Sequence, residues 1–343
     1  MRAARLHEYG KPLVVEEVPE PELGFGEVLV RVEGAGFCHS DLHVMDGEIP
    51  ILPVLPHTLG HENAGTVVRV GPGVEGVKEG DKVVVYGGWG CGRCRYCLQG
   101  LEQLCLAPQW VGLSRHPGGY AEYLKVPHAR YLVPLNRLDP KEAAPLADAA
   151  LTPYRAVKKA LPYLSPDGYA LVIGVGGLGQ YGVKLLRLLF GGGIIALDIN
   201  PDRLERAKAY GADFALNPKE GGDPAGRILD LTGGMGVVAA FDFVGSEETL
   251  TLAVGVTATG GKVTQLGLAG GAARLKVLEN SRFEVLFEAT LWGTVQELRE
   301  VVALAEAGRL TPIELEYHPL EAINEVAARL RRGEVGGRAV IVP

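Results

Sequence analysis

A chain of 343 residues, 47% apolar and 22% charged, exceeds what one hydrophobic core usually organises, so two domains are expected. Its formal net charge of -7 argues against broad binding to nucleic acid or anionic membranes, because no basic excess is present to displace counterions. The start, MRAARLHEYGKPLVVEEV, lacks the apolar core of a signal peptide and no apolar run reaches a membrane span, so a cytoplasmic, reducing location is expected.

From residue 1 to about 150 the short alternating runs LVVEEV, EVLVRV, GTVVRVG and DKVVVYG, punctuated by Gly and Pro, predict a β-rich domain with irregular loops. Cys38 stands alone in GAGFCHSDLH, and GHENAG follows at residues 60 to 65 with His61 and Glu62. Taken singly, a buried cysteine is a small hydrophobe and a histidine a satisfied polar residue. Together, one thiolate, one imidazole and one carboxylate, left short of a closed tetrahedron, describe a catalytic zinc.

The stretch CGRCRYCLQGLEQLC holds Cys91, Cys94, Cys97 and Cys105 in the spacing C-x2-C-x2-C-x7-C. The short gaps let thiolates fold round one ion and the longer gap closes the tetrahedron, which describes a structural zinc. Free or disulfide-bonded thiols and an iron-sulfur cluster are the rival readings. Zinc is preferred, because the setting is reducing and nothing else in the chain points to electron transfer. Gly92 and Gly100 supply turns, and Arg93 and Arg95 are placed to offset the thiolate charge. Trp89, just before the cluster, and Trp292, at the second domain junction, are each either a wall of a substrate pocket or ordinary packing.

From residue 151 to about 290 strands alternate with helices, as in a doubly wound domain. Tyr169 to Ile173 is an apolar strand that runs into Gly174, Val175, Gly176, Gly177, Leu178 and Gly179 and then into a helical pattern, and the next strand ends at Asp198. This is G-x-G-x-x-G in its strand-turn-helix setting. Gly174 makes the turn, Gly176 lets backbone approach a pyrophosphate, and Gly179 permits close packing of helix on strand, while the helix N-terminus attracts phosphates. Asp198 would take the ribose hydroxyls and repel a 2'-phosphate, so NAD is expected over NADP. AAFDFVG and GGKVTQLGLAG each read as a strand and a glycine turn. Ligands bind beyond the carboxyl ends of such strands, which makes Val244 and Leu268 candidates to line a nicotinamide pocket. The tail, residues 291 to 343, carries two amphipathic helices and a last strand.

GHENAGTVVRVG, the cysteine cluster after it and the dinucleotide fingerprint further on together resemble the zinc-dependent medium-chain alcohol dehydrogenase family, over essentially the whole chain. The resemblance implies an α/β protein with a β-rich GroES-like catalytic domain, to which the tail returns, and a doubly wound Rossmann domain. It implies an alcohol held at zinc and oxidised by NAD, with Cys38 and His61 as ligands and Glu62 as an alternating one. Where many members have a cysteine as the third ligand, PLADAALTPY puts Asp148. Aspartate is a competent and harder ligand, so a Cys-His-Asp site with a stronger Lewis acid is expected. A site without metal is the rival. The same substitution occurs in some secondary-alcohol dehydrogenases of the family.

The resemblance further implies a proton relay through Ser40, the cofactor ribose and His43, with Asp41 orienting His61. It assigns His39 and Arg338 to the cofactor phosphates, Arg203 to the adenosine ribose, Leu178 to the back of the nicotinamide ring, and Thr152 and Gly177 to the cofactor. It places zinc and nicotinamide together in a cleft between the domains, and it suggests a homotetramer. Few Met, Asn and Gln beside many Arg and Glu suggest a thermophilic source. The favoured reading is a zinc- and NAD-dependent alcohol dehydrogenase, with two zinc ions per chain, that converts a primary or secondary alcohol to an aldehyde or ketone and back. The alternatives are a polyol or amino-acid-alcohol dehydrogenase, an enzyme acting on an aldehyde adduct, and a non-catalytic NAD-binding regulator.

Overall fold

The computed structural model describes residues 1–49, 51–52, 54–272 and 282–343. The chain divides into two compact units, 1–151 with 292–343, and 152–291. In the first unit a seven-stranded sheet runs in the order Leu315–Pro319, Arg338–Val342, Val28–Gly36, Glu62–Val70, Lys82–Val85 and Leu132–Pro134, with Tyr123–Val126 also paired to Val28–Gly36. Within VLVRVEGAG only Arg31 is exposed and Glu33 half-buried. A strand covered on both faces keeps apolar residues at nearly every position. A second, three-stranded sheet joins Val14–Glu17, Arg2–Leu6 and His57–Thr58.

Register on the central strand Val28–Gly36 brings distant residues together. Gly36 lies opposite Glu62 on one side and Val340 on the other. A Cβ at Gly36 would run into the Glu62 carboxylate, so only glycine lets that side chain cross the strand. Two residues later Cys38 caps the helix His39–Met45. The thiol of one strand's end, the carboxylate of its neighbour and the last strand of the unit therefore meet at one point.

The second unit is a parallel sheet in the order Phe214–Leu216, Gly193–Leu197, Tyr169–Ile173, Val237–Asp242, Thr257–Gln265 and Leu286–Ala289. Among the described residues four helices connect its strands: Gly177–Leu189, Pro201–Ala209, Pro224–Leu231 and Glu247–Val256. Leu171, Ile173, Ile195, Leu197, Ile228, Val237, Ala253 and Val263 form a buried core. Its central strands are buried on both faces, which is why YALVI and GIIAL are continuous apolar runs. Strand order reverses between Tyr169–Ile173 and Val237–Asp242, the point at which a doubly wound sheet opens its ligand crevice.

In the tail, Thr294 and Glu297 reciprocally cap the helix Val295–Glu306 through Glu297 N to Oγ1 at 3.1 Å and Thr294 N to Oε2 at 2.8 Å. The last strand, Arg338–Val342, pairs antiparallel with Val28–Gly36. Among the described residues no helix is long and apolar enough to cross a membrane.

Candidate active site and metal centres

Cys38, His61, Glu62 and Asp148 are all buried and each offers a ligand atom within 4.8 Å of the others. His61 Nε2 lies 3.4 Å from Asp148 Oδ2, and Cys38 Sγ lies 3.9 Å from the same oxygen. The edges of a zinc tetrahedron built from such donors are about 3.4–3.6 Å, so the spacing fits a metal ion with little adjustment. The donor set also calls for positive charge. Burial opposes an imidazolium, yet Asp41, Asp148 and Cys38 outweigh it and raise the pKa of His61 well above its usual value.

Three groups hold these donors in place. Asp41, fully buried, lies 3.3 Å from His61 Nδ1 through Oδ1, while its Oδ2 accepts from Cys38 N at 3.0 Å and Tyr120 Oη at 2.8 Å. With Nδ1–H directed to a carboxylate, Nε2 is the nitrogen left to bind metal. Trp292 sets its ring edge-on to His61 at 5.7 Å and donates from Nε1 to Ala147 O at 2.9 Å, one residue before Asp148. Arg338 grips Glu62 with Nε at 2.9 Å to Oε2 and with Nη2 on Oε1, and its Nη2 is 3.9 Å from Asp148. Burial pushes the Glu62 carboxyl up to about 7 against the pull of Arg338.

Ser40 and His43 follow on the same short helix, both half-buried, with His39 exposed. Ser40 Oγ is 3.8 Å from Cys38 Sγ. The rings of His39 and His43 are 6.3 Å apart.

Cys91, Cys94, Cys97 and Cys105 form a second cluster. Cys94 Sγ is 3.6 Å from Cys97 Sγ and 3.8 Å from Cys105 Sγ, against an edge of about 3.8 Å in a four-thiolate zinc site. Backbone N–H groups of Cys91 and Ala107 point at Cys105 Sγ at 3.2 and 3.3 Å. Those of Cys97 and Leu106 lower the Cys94 thiol to about 6, which favours the thiolate a metal needs. Arg95 lies over the Tyr96 ring and bonds its hydroxyl. Trp89 is fully buried, stacked on Tyr131 at 5.9 Å. Its ring is packed within the core.

In the second unit Gly174 has φ +83°, and a Cβ there would strike Val244. A Cβ on Gly179 would fall on the Gly174 carbonyl, whereas one on Gly176 meets no protein atom. The chain's own packing does not require glycine at 176, and the open space beside a helix N-terminus fits a pyrophosphate. Asp198 is buried and accepts from Val175 N at 2.6 Å and Asn200 N at 2.9 Å, with Arg203 Nη1 at 4.0 Å. Leu178 and Gly177 open the helix half-buried, Thr152 is buried, and Leu268 is 48% exposed. These residues fit NAD.

Residues 24–137 match the family described as alcohol dehydrogenase GroES-like domain, and residues 177–307 match zinc-binding dehydrogenase. The chain is 40% identical over 351 residues to an NAD-dependent alcohol dehydrogenase of Sulfurisphaera tokodaii, covering 100% of each. It is 38% identical over 346 residues to a D-arabinose 1-dehydrogenase (NADP(+)) of Saccharolobus solfataricus, covering 100% of this chain and 97% of that one. The crystal structure of the alcohol dehydrogenase from Aeropyrum pernix superposes with a TM-score of 0.93 at 40% identity, covering 100% of each chain. The chain belongs to the zinc-dependent medium-chain alcohol dehydrogenases.

As a member of that family it is an NAD-dependent oxidoreductase that interconverts alcohols and carbonyl compounds. The two clusters are those of a catalytic and a structural zinc site. Two contacts in the site of this dehydrogenase escape sequence reasoning. Tyr120 reaches Asp41 from GGYAEY, where a tyrosine between glycines and an apolar run carries no chemical signal. Arg338, expected at a cofactor phosphate, also grips Glu62, a contact made by strand register.

Proposed function

We propose that the enzyme oxidises small secondary alcohols to ketones with NAD, and reduces the ketones, in the buried cluster of Cys38, His61, Glu62 and Asp148. That cluster is the observation that carries the reading. When bound, zinc supplies Lewis acidity that makes a hydroxyl easier to deprotonate, and NAD supplies the hydride acceptor. Cys38, His61 and Asp148 are the permanent holders of the metal, and Asp41 keeps the His61 ring turned for that task. Glu62 is a reserve ligand: Arg338 holds it, and its carboxylate would be near enough to serve as an alternating donor when zinc is bound. Ser40 takes the proton of the substrate hydroxyl, and His43 carries it onward, its two ring nitrogens able to accept a proton on one side and release one on the other.

Asp198 supports NAD over NADP, because a buried carboxylate at the ribose opposes a 2'-phosphate; Arg203 at 4.0 Å softens that preference. Gly174, Gly176, Gly177 and Gly179 hold the pyrophosphate with His39, Leu178 and Val244 bear on the nicotinamide, and Thr152 and Leu268 complete the cofactor contacts. Residues 1–150 and 291–343 serve as the catalytic domain and 151–290 as the NAD-binding domain. The relative that acts on D-arabinose supports a sugar or polyol as the second reading, and a substrate panel separates the two. Five cysteines without a disulfide support a reducing cytoplasm. The short chain supports a homotetramer, and a related enzyme from a hyperthermophile supports a heat-adapted source.

The decisive experiment follows NAD reduction with propan-2-ol before and after removal of the labile zinc. Turnover that disappears with that zinc and returns on its replacement is expected. No turnover at full zinc loading would overturn the reading.

A further inference from the structure

The proton relay from Ser40 ends at His43, a half-buried imidazole that must hand its proton to water. Its Nδ1 lies 2.5 Å from Oε2 of Glu48. The His43 side chain is 19% exposed and that of Glu48 is 62% exposed, so the pair bridges the interior and the solvent. The contact is built in. Gly47, with φ +76°, turns the chain back, and the N–H groups of Glu48 and Ile49 both bond the His43 carbonyl at 2.9 and 3.2 Å. Asp46 is tied to Arg331 on the helix Ile323–Arg331 at 2.5 Å, and Tyr9 covers Gly47. Among the described residues, His39 also lies near His43, with 6.3 Å between the ring centres.

We propose that Glu48 is the outlet of the proton relay and the positioning residue of His43. A carboxylate can only accept, so it selects the tautomer with hydrogen on Nδ1 and leaves the lone pair on Nε2. The proton released by the substrate forms a bond at Nε2. The Nδ1–H bond then breaks toward Oε2 of Glu48, and the carboxyl group gives the proton to water. One proton has moved from site to solvent, with no redox change, and the ring regains its resting tautomer by exchange along its exposed edge. Asp41 and His61 show the same carboxylate-imidazole pairing in the interior, where it serves a metal ligand. At Glu48 it serves a carrier.

This inference rests on the relay through Ser40 and His43, and the test keeps the two apart. Zinc-loaded wild type, Glu48→Gln, Glu48→Asp, His43→Gln and the Glu48→Gln/His43→Gln double variant are compared with NAD and propan-2-ol, with proton release followed by an indicator dye in stopped flow. Glu48→Gln is expected to slow proton release and kcat about tenfold with KM little changed. Glu48→Asp should retain most of the rate, added imidazole should restore Glu48→Gln, and the double variant should be no slower than His43→Gln. Normal proton release in Glu48→Gln beside an impaired His43→Gln would overturn the outlet. So would losses that simply add in the double variant. A normal His43→Gln would overturn the relay itself.

Discussion

Asp148 concentrates the chemistry of the site in one substitution. Its Oδ2 is the point from which His61 Nε2 and Cys38 Sγ are both measured, so removing it opens one corner of the cluster while His61 and Cys38 stay. Asp148→Ala is expected to lower bound zinc from two ions per chain to one and to cut turnover by at least about a thousandfold. NAD affinity should be almost unchanged. Metal analysis alongside titration with NADH tests both halves, and normal turnover in the variant would remove Asp148 from the ligand set. Arg338 invites the opposite experiment, because its partner would be left behind. Arg338→Gln leaves Glu62 buried without its guanidinium and is expected to cost about 3–5 kcal/mol in the zinc-free protein. Trp89, Trp110 and Trp292 all belong to the first unit, so tryptophan fluorescence during urea unfolding reports that loss directly.

Among the elements, the helix Gly177–Leu189 packs at Gly179 against the turn that follows strand Tyr169–Ile173, where a Cβ would meet the Gly174 carbonyl of the backbone. Gly179→Ala is expected to push the helix N-terminus off the turn, weaken NADH binding about tenfold or more, and leave the zinc content at two. Fluorescence titration with NADH checks it; unaltered affinity would mean the fingerprint tolerates a wider turn. This element was legible because its signals are local: an apolar strand, glycines at fixed offsets and an acid about twenty residues on. The metal-donor candidates were legible for a related reason, since GHENAG and the cysteine run place chemically distinct residues side by side. The grip of Arg338 on Glu62, the reach of Tyr120 to Asp41 and the edge of Trp292 against His61 were not legible. Each depends on strand register or loop packing between segments far apart in sequence, and periodicity identifies elements without naming their partners.

For the whole molecule, acid is the condition that separates the folded from the unfolded chain. Burial pushes His57 down to about 4, and the neighbouring Arg5 and His116 add to this against a backbone hydrogen bond. The unfolded chain takes up the proton near pH 6.5 and the folded one only near 4. Stability from this residue is therefore full above about pH 6.5, falls as pH drops toward 4 and levels off below it. The ceiling of the loss is about 3 kcal/mol. Urea midpoints for wild type and His57→Gln between pH 7 and 4 should converge on acidification, and curves that stay parallel would clear His57 of the effect.

The bond between Glu62 and Arg338 spans 276 residues of sequence. During synthesis, the carboxylate and its neighbours emerge from the ribosome long before the guanidinium that balances them exists. Over that interval the growing chain carries Glu62 without the guanidinium that grips it in the finished fold. The whole dinucleotide-binding unit is translated before the last strand can slide in beside Val28–Gly36. Completion of the catalytic pocket is therefore among the last events in the birth of this enzyme.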